Sequence, residues 1–346
     1  MKLNRLLFIP AACLALSLTT TSCDSEGDDN IQWWDWSEKE GEGEEGGETP
    51  EEPEITEANP DIVALGWTNE TLTLEEQYGN IPDYIQMYKS PATLCEKNAY
   101  AYIAVADKAQ VTLEVLGDAE NLYTPSTQYE ASLAPVLVNG GFFYLNSLSL
   151  ILREGELICP NVQVDSPDWT ETYYYTPRGT FSILKDGSID VSWVYTLLSG
   201  VSYSYPTSMP LENGVVPSAS YPEGGKEYTA QTAIGGGPVL TKGGQIINSW
   251  QNEFLSVSVD SNRPRTAIGY NPTTERIVLF ACAGDGIEGV SGLTLDNLAN
   301  VMNQLGCTES INLDGGGSTV MLVNGNEIIK PSDGKQRNVG SCAAFK

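Results

Sequence analysis

Histidine is absent from all 346 residues. That excludes Ser-His-Asp and Cys-His nucleophile systems, histidine-ligated zinc and any imidazole general base. Proton transfer must then fall to Asp, Glu, Lys, Tyr or Cys. Positive charge is scarce: 18 Lys and Arg stand against 46 Asp and Glu, for a net charge of −28. This balance argues against a nucleic-acid partner held by a basic face, and an anionic substrate would need a locally basic pocket. C-x-x-C spacing is missing among Cys95, Cys159, Cys282, Cys307 and Cys342, so no metal cluster is expected. Their odd number leaves at least one thiol unpaired, and one disulfide or a set of buried free thiols fit equally well.

The N-terminal apolar run, Leu6 to Leu18, is too short to span a bilayer, and Lys2 and Arg5 precede it. That is the pattern of a secretory leader. Thr21-Ser22-Cys23 then resembles a lipoprotein cleavage site, which assigns residues 1–22 to a signal peptide and makes Cys23 the lipidated N-terminus. The chain is expected to be exported and lipid-anchored to an outer membrane, on its periplasmic side or at the cell surface, touching the membrane through the anchor only. Residues 24–60 hold 15 Asp and Glu against Lys39 alone. Such a segment repels itself and has little to bury, so residues 23–60 read as a disordered acidic tether. With the tether's −14 and the leader's +2 set aside, residues 61–346 still carry −16.

Within the remainder, residues 61–94 read as an extension of the domain and 95–346 as the domain proper. Thr71 to Leu74 alternates like a strand, and Ile81 to Tyr88 fits an edge strand or a helical turn. Ala99 to Ala106 and Val111 to Leu116 read as a strand pair, Asn121 to Leu133 as loop and short helix, and residues 145–175 as loop. Tyr173 to Tyr175 suits a sugar face or, in preference, a strand with alternate tyrosines exposed. Asp186-Gly187 makes a hairpin of Gly179 to Leu184 with Ile189 to Leu197, and residues 200–228 form an irregular excursion. Leu295, Leu298, Ala299, Met302 and Leu305 fall on one helical face, capped by Thr294 and closed by Gly306. With short turns and few helices, the fold class is α+β, built of largely antiparallel sheets with a few packed helices.

Three glycine turns follow apolar runs: Asn139-Gly140-Gly141, Gly235-Gly236-Gly237 and Asp314-Gly315-Gly316-Gly317-Ser318-Thr319. Each fits either substrate contact through turned backbone amides or an ordinary structural turn. In the third, Asp314 adds a carboxylate. Arg263 and Arg265, two of few cations in an acidic domain, form bidentate forks suited to phosphate or carboxylate, or else solvated strand-edge charges. Gly284-Asp285-Gly286 sets a second carboxylate in a flexible turn.

Five signatures occur in one order: N-G-G-F-F at 139, P-R-G-T-F-S-I-L-K-D-G at 177, G-G-G-P-V-L at 235, R-P-R-T-A-I-G at 263, and G-L-T-L through D-G-G-G-S-T from 292 to 319. Over residues 95–346 the set resembles the phosphodiester glycosidase family. The resemblance implies a hydrolase cleaving sugar-1-phosphodiester links, for example GlcNAc-1-phospho links, in glycans or cell-surface polymers. Its matching positions are Asn139, Gly140, Arg178, Gly236, Gly237, Arg263, Arg265, Asp285, Asp314 through Thr319, and Arg337. Ala281 to Gly284 departs from the aliphatic run usual before Asp285. A phosphomonoester leaves readily once its charge is neutralised, so arginines plus one carboxylate suffice without histidine. Asp314 is the first candidate for that carboxylate and Asp285 the second. Arg178, Arg263, Arg265 and Arg337 would neutralise phosphate, and the amides of Gly315, Gly316 and Gly317 with Ser318 or Thr319 would hold phosphate or sugar oxygens. A carboxylate pair at strand ends also suits Ca²⁺ or Mg²⁺. The alternative is a surface lipoprotein that binds anionic glycans without cleaving them.

Overall fold

The computed structural model describes residues 57–164, 174–208, 212–253 and 258–346. The expected signal peptide, Cys23, most of the expected tether and Tyr173 lie outside the described residues. Order begins no later than Asn59, whose side chain accepts from the Asp61 N–H and caps a short helix at Pro60–Ala64. Residues 54–346 form one compact unit.

Three antiparallel sheets meet around one core, with helices few and peripheral, so the α+β expectation resolves to a mainly β architecture. The eight-stranded sheet carries Ala101–Asp107, Arg276–Cys282, Arg265–Asn271, Glu309–Asn312 and Val239–Lys242 in that spatial order. The seven-stranded sheet is centred on Ile189–Thr196, Arg178–Ile183 and Thr232–Gly235. In the five-stranded sheet Val136–Asn139 lies between Met321–Val323 and Ser341–Phe345. Apolar side chains of all three meet in one cluster, among them Ala104, Val138, Phe181, Trp193, Ile234, Ile311 and Met321. The helix Leu295–Gln304 covers the opposite face of the eight-stranded sheet through Leu295, Leu298, Ala299 and Met302. It starts as expected, in a capping box between Thr294 and Asn297.

Each glycine turn marks a point where the chain leaves one sheet for another. Asn139 ends a strand of the five-stranded sheet, Gly235 one of the seven-stranded and Asn312 one of the eight-stranded. The three junctions touch: the Asp314 N–H donates to the Gly140 carbonyl at 2.9 Å, and the Gly237 N–H to the Asn312 carbonyl at 2.8 Å. A Cβ at Gly236 would overlap the Asn312 carbonyl oxygen, one at Gly141 the Gly235 carbonyl, and one at Gly140 the Ser341 side chain. Glycine is required here because backbones cross at contact distance. Behind the junction the buried carboxylate of Glu253 accepts from the N–H groups of Gly179 and Val239 and from Trp193 Nε1, joining two sheets.

Several expectations are corrected. Thr71 to Leu74 lies in a helix, Thr71–Tyr78, because four alternating residues specify neither period and the Asn69 side chain takes the Thr71 N–H at the helix start. Ile85–Lys89 is a strand flanked on both sides rather than an edge. Ala101–Asp107 and Leu113–Gly117 do not pair; the connection between them crosses from the eight-stranded to the five-stranded sheet. Within 145–175, Ile151–Arg153 and Glu156–Cys159 form a hairpin through Glu154 and Gly155, both at positive φ. All five described cysteines are free, four of them buried.

Candidate active site

A cavity of about 330 Å³ opens beside the junction. Its wall gathers Arg263, Arg265, Asp285, Asp314, Gly315, Gly316, Gly317 and Arg337 from four separated stretches of sequence. Phe142, Ser258, Asn312 and Asp333 complete it.

Asp314 sits where the strand Glu309–Asn312 runs out of the eight-stranded sheet. Its carbonyl accepts from Asn139 Nδ2 at 2.7 Å, while Asn139 Oδ1 accepts from the Thr266 hydroxyl at 2.7 Å and the Val320 N–H at 3.2 Å. Asn139 is thus fully engaged as the clamp that holds the Asp314 loop, not as a substrate contact. Burial pushes the Asp314 carboxyl up to about 6, against the pull of the Ser318 hydroxyl, the Gly315 amide and the Arg337 charge. A carboxyl poised there exchanges protons near neutral pH, which suits a base or nucleophile in a chain without histidine.

The loop amides do less than the sequence suggests. The Gly315 N–H donates to Asp314 Oδ1 at 2.9 Å and the Gly316 N–H to the Pro264 carbonyl at 2.9 Å. Those of Ser318 and Thr319 close the short turn Gly316–Ser318 on itself. The expectation that all three glycine amides hold substrate oxygens is therefore corrected: the loop's chief product is the placement of Asp314. Gly317 packs under the Arg337–Asp333 pair, where a Cβ would overlap both. Ser318 and Thr319 are buried behind the wall.

The arginines differ in what they have left to give. Arg265 is buried; Nε donates to the Leu293 carbonyl at 2.9 Å, and one terminal nitrogen donates to those of Ser258 at 2.8 Å and Ser261 at 3.0 Å. Burial lowers it to about 10, leaving it charged at neutral pH. It organises the rim and contributes charge. Arg263 is more exposed and pairs with Asp285 at 3.1 Å, as Arg337 pairs with Asp333 at 2.6 Å. Such solvent-facing pairs are worth about 0–1 kcal/mol, so an arriving anion exchanges for either carboxylate at small cost. Arg178, Gly140, Gly236 and Gly237 are not on the wall. Arg178 is buried in the seven-stranded sheet, and the glycines belong to the crossings described above.

Asp285, at positive φ, gives its carboxylate to Arg263 and to the Ser332 hydroxyl. Among the described residues no group of three or more His, Cys, Asp or Glu is arranged to hold a metal ion. Four wall residues escaped the sequence reading. Asn312 adjoins the Asp314 motif, Asp333 stands four residues before Arg337 and Phe142 belongs to the N-G-G-F-F signature, signals that were available; nothing in the sequence marks Ser258.

Residues 132–346 match a family model described as phosphodiester glycosidase. A stretch of 78 residues is 37% identical to the mouse N-acetylglucosamine-1-phosphodiester alpha-N-acetylglucosaminidase, covering 22% of this chain and 14% of that protein. The match thus spans about one-seventh of the mouse protein's length. Among solved structures, the zebrafish N-acetylglucosamine-1-phosphodiester alpha-N-acetylglucosaminidase catalytic domain, auto-inhibited by its pro-peptide, superposes with a TM-score of 0.53 at 19% identity, over 77% of this chain and 84% of that one. A hypothetical protein from Synechocystis gives 0.52 at 15%, over 77% and 64%. These superpositions share the fold. Residues 57–131 precede the matched region, yet they supply Ile85–Lys89, Ala101–Asp107 and Leu113–Gly117 to two sheets.

Proposed function

The chain belongs to the phosphodiester glycosidase family, and on that premise we propose that it hydrolyses sugar-1-phosphodiester links, such as GlcNAc-1-phospho links, in glycans or cell-surface polymers. The observation that carries this reading is one cavity wall holding both a carboxyl raised to about 6, Asp314, and three guanidinium groups. Arg263 and Arg337 exchange their carboxylate partners for the phosphate. Arg265 adds fixed charge from within the wall, lowering the cost of a phosphomonoester leaving group. Ionised Asp314 attacks the anomeric carbon or activates water upon it. A glycan-binding protein without catalysis would be favoured by an Asp314 saturated with backbone amides, but the Gly315 N–H is its one backbone donor among the described residues.

The test is release of UDP from UDP-GlcNAc and of the methylmannoside phosphomonoester from GlcNAc-1-phospho-methylmannoside by residues 54–346. Turnover supports the hydrolase. Saturable binding of both without turnover supports the binding protein, and neither leaves this family member with another substrate class.

Export and anchoring at Cys23 form part of the same proposal, resting on Lys2, Arg5, the apolar run and Thr21-Ser22-Cys23. Full-length chain expressed in a bacterium fed radiolabelled palmitate is expected to take up label, and Cys23→Ala to lose it. Equal labelling of the two would refute the anchor.

A further inference from the structure

Asn312 ends the strand Glu309–Asn312, two residues before Asp314. Ile311 and Leu313 enter the core, so alternation turns Asn312 and Asp314 the other way, and both reach the cavity wall. The Asn312 side chain is 99% buried, with 1% exposure. Nδ2 donates to the Gly237 carbonyl at 2.8 Å and to the Leu313 carbonyl at 2.6 Å. Both amide hydrogens are thereby committed, and the orientation is fixed, because a flipped amide would press Oδ1 against two carbonyl oxygens. The backbone is held as firmly: the Asn312 N–H donates to the Pro238 carbonyl and its carbonyl accepts from the Gly237 N–H. Oδ1 itself, buried, meets no donor among the described residues. A buried acceptor left unpaired carries a desolvation cost that a ligand donor would relieve.

Resting on the reading of this cavity as a sugar-1-phosphodiester site, we propose that Asn312 is a specificity-determining residue whose Oδ1 accepts a hydrogen bond from the C2 substituent of the sugar, a hydroxyl or an acetamido N–H. Residues two apart on an extended chain stand about 6–7 Å from each other. With Asp314 at the anomeric carbon, that spacing brings Asn312 within side-chain reach of a substituent on the sugar ring. The ring oxygen on one side of that carbon only accepts, so the nearest donor is on C2. A site built around a buried acceptor rejects a ligand lacking the donor far more strongly than an apolar site rejects a missing methylene. The crossing of Gly236 and Gly237 over Asn312 acquires a function by this route, since it fixes which atom of the amide meets the ligand.

The probes are UDP-GlcNAc, UDP-glucose and UDP-2-deoxyglucose. Turnover is read with wild-type protein and Asn312→Ala, and binding with Asp314→Asn and the Asp314→Asn/Asn312→Ala pair. Removing the C2 donor is expected to lower kcat/KM by at least about 100-fold in the wild type. In Asn312→Ala that ratio is expected to shrink below about threefold, the non-additivity of two groups in contact. Binding is expected to follow the same pattern. Equal losses in both backgrounds would overturn the inference and leave the hydrolase reading standing. Absence of turnover and of binding with every UDP-sugar would overturn both. Should Asn312→Ala not fold, the wild type decides alone: UDP-2-deoxyglucose processed within about threefold of UDP-glucose refutes the assignment.

Discussion

Replacing Asp314 with asparagine is expected to remove turnover while making the protein more stable at pH 8. Asn keeps the Oδ1 acceptor for the Gly315 N–H but can neither ionise nor attack, and loss of a central carboxylate costs about 10³-fold or more in kcat. The stability gain follows from the raised pKa. Burial places the folded carboxyl at about 6, above its ordinary value of 3.8. Its contribution to stability is therefore fully present below about pH 4 and is lost as pH rises through 6. Two units correspond to roughly 3 kcal/mol as an upper bound. Asp314 is only half-buried, and solvent screening brings the figure to about 1–2 kcal/mol. Melting at pH 8 should show Asp314→Asn higher by roughly 2–6 °C, with the gap closed at pH 4. The same ionisation sets the activity of the wild type: kcat/KM should rise with pH to a plateau, with a midpoint near 6. A variant less stable than wild type at pH 8 would contradict the buried-carboxylate account, whatever its activity.

Gly236→Ala is expected to damage both the fold and the site, and Gly243→Ala serves as its control. A Cβ at Gly236 would overlap the Asn312 carbonyl and press on Leu313 Cδ2 at 3.1 Å and Ile311 Cδ1 at 3.2 Å. None of these yields easily, because Asn312 is bonded through both backbone and side chain to Gly237. Overpacking of this kind costs about 3 kcal/mol, or roughly 6–12 °C in Tm. The displaced carbonyl lies two residues from Asp314, so kcat should fall about 100-fold in whatever protein remains folded. Gly243 has φ of +56° and nothing within 4 Å of a built Cβ. Alanine there costs about 1 kcal/mol of backbone strain and should leave kcat unchanged. Comparable damage from the two would mean that the junction glycines serve conformational freedom rather than close approach.

The elements written in local code were legible. Asp186-Gly187 closes its hairpin and Asn324-Gly325 joins Met321–Val323 to Asn326–Ile329. Thr294 caps a helix whose apolar stripe lies on the sheet. Where the code was short, it misled. Thr71 to Leu74 alternates over too few residues to exclude a helix, and the Glu154-Gly155 turn lacks the Asn or Asp that usually advertises its geometry. Adjacency in sequence also failed as a guide to pairing: Ala101–Asp107 and Leu113–Gly117 pair with strands far away in the chain, because the connection changes sheets.

The sequence by itself determined the chemical inventory of this protein: no imidazole, an acidic domain with a few concentrated arginines, and one carboxylate in front of three glycines. Those properties are carried by residue type and short-range order, so they survive without coordinates. Tertiary structure alone decided which of them work together. Arg263, Arg265, Asp285, Asp314 and Arg337 meet on one wall because three sheets exchange strands at one place, and the glycines sit where those backbones cross. Hydrogen-bond allocation was equally out of reach, since a donor's availability depends on every neighbour brought near it. Gly315 and Gly316 commit their amides within the protein, Asn139 becomes a clamp, and Asn312 keeps one buried acceptor with no donor among the described residues.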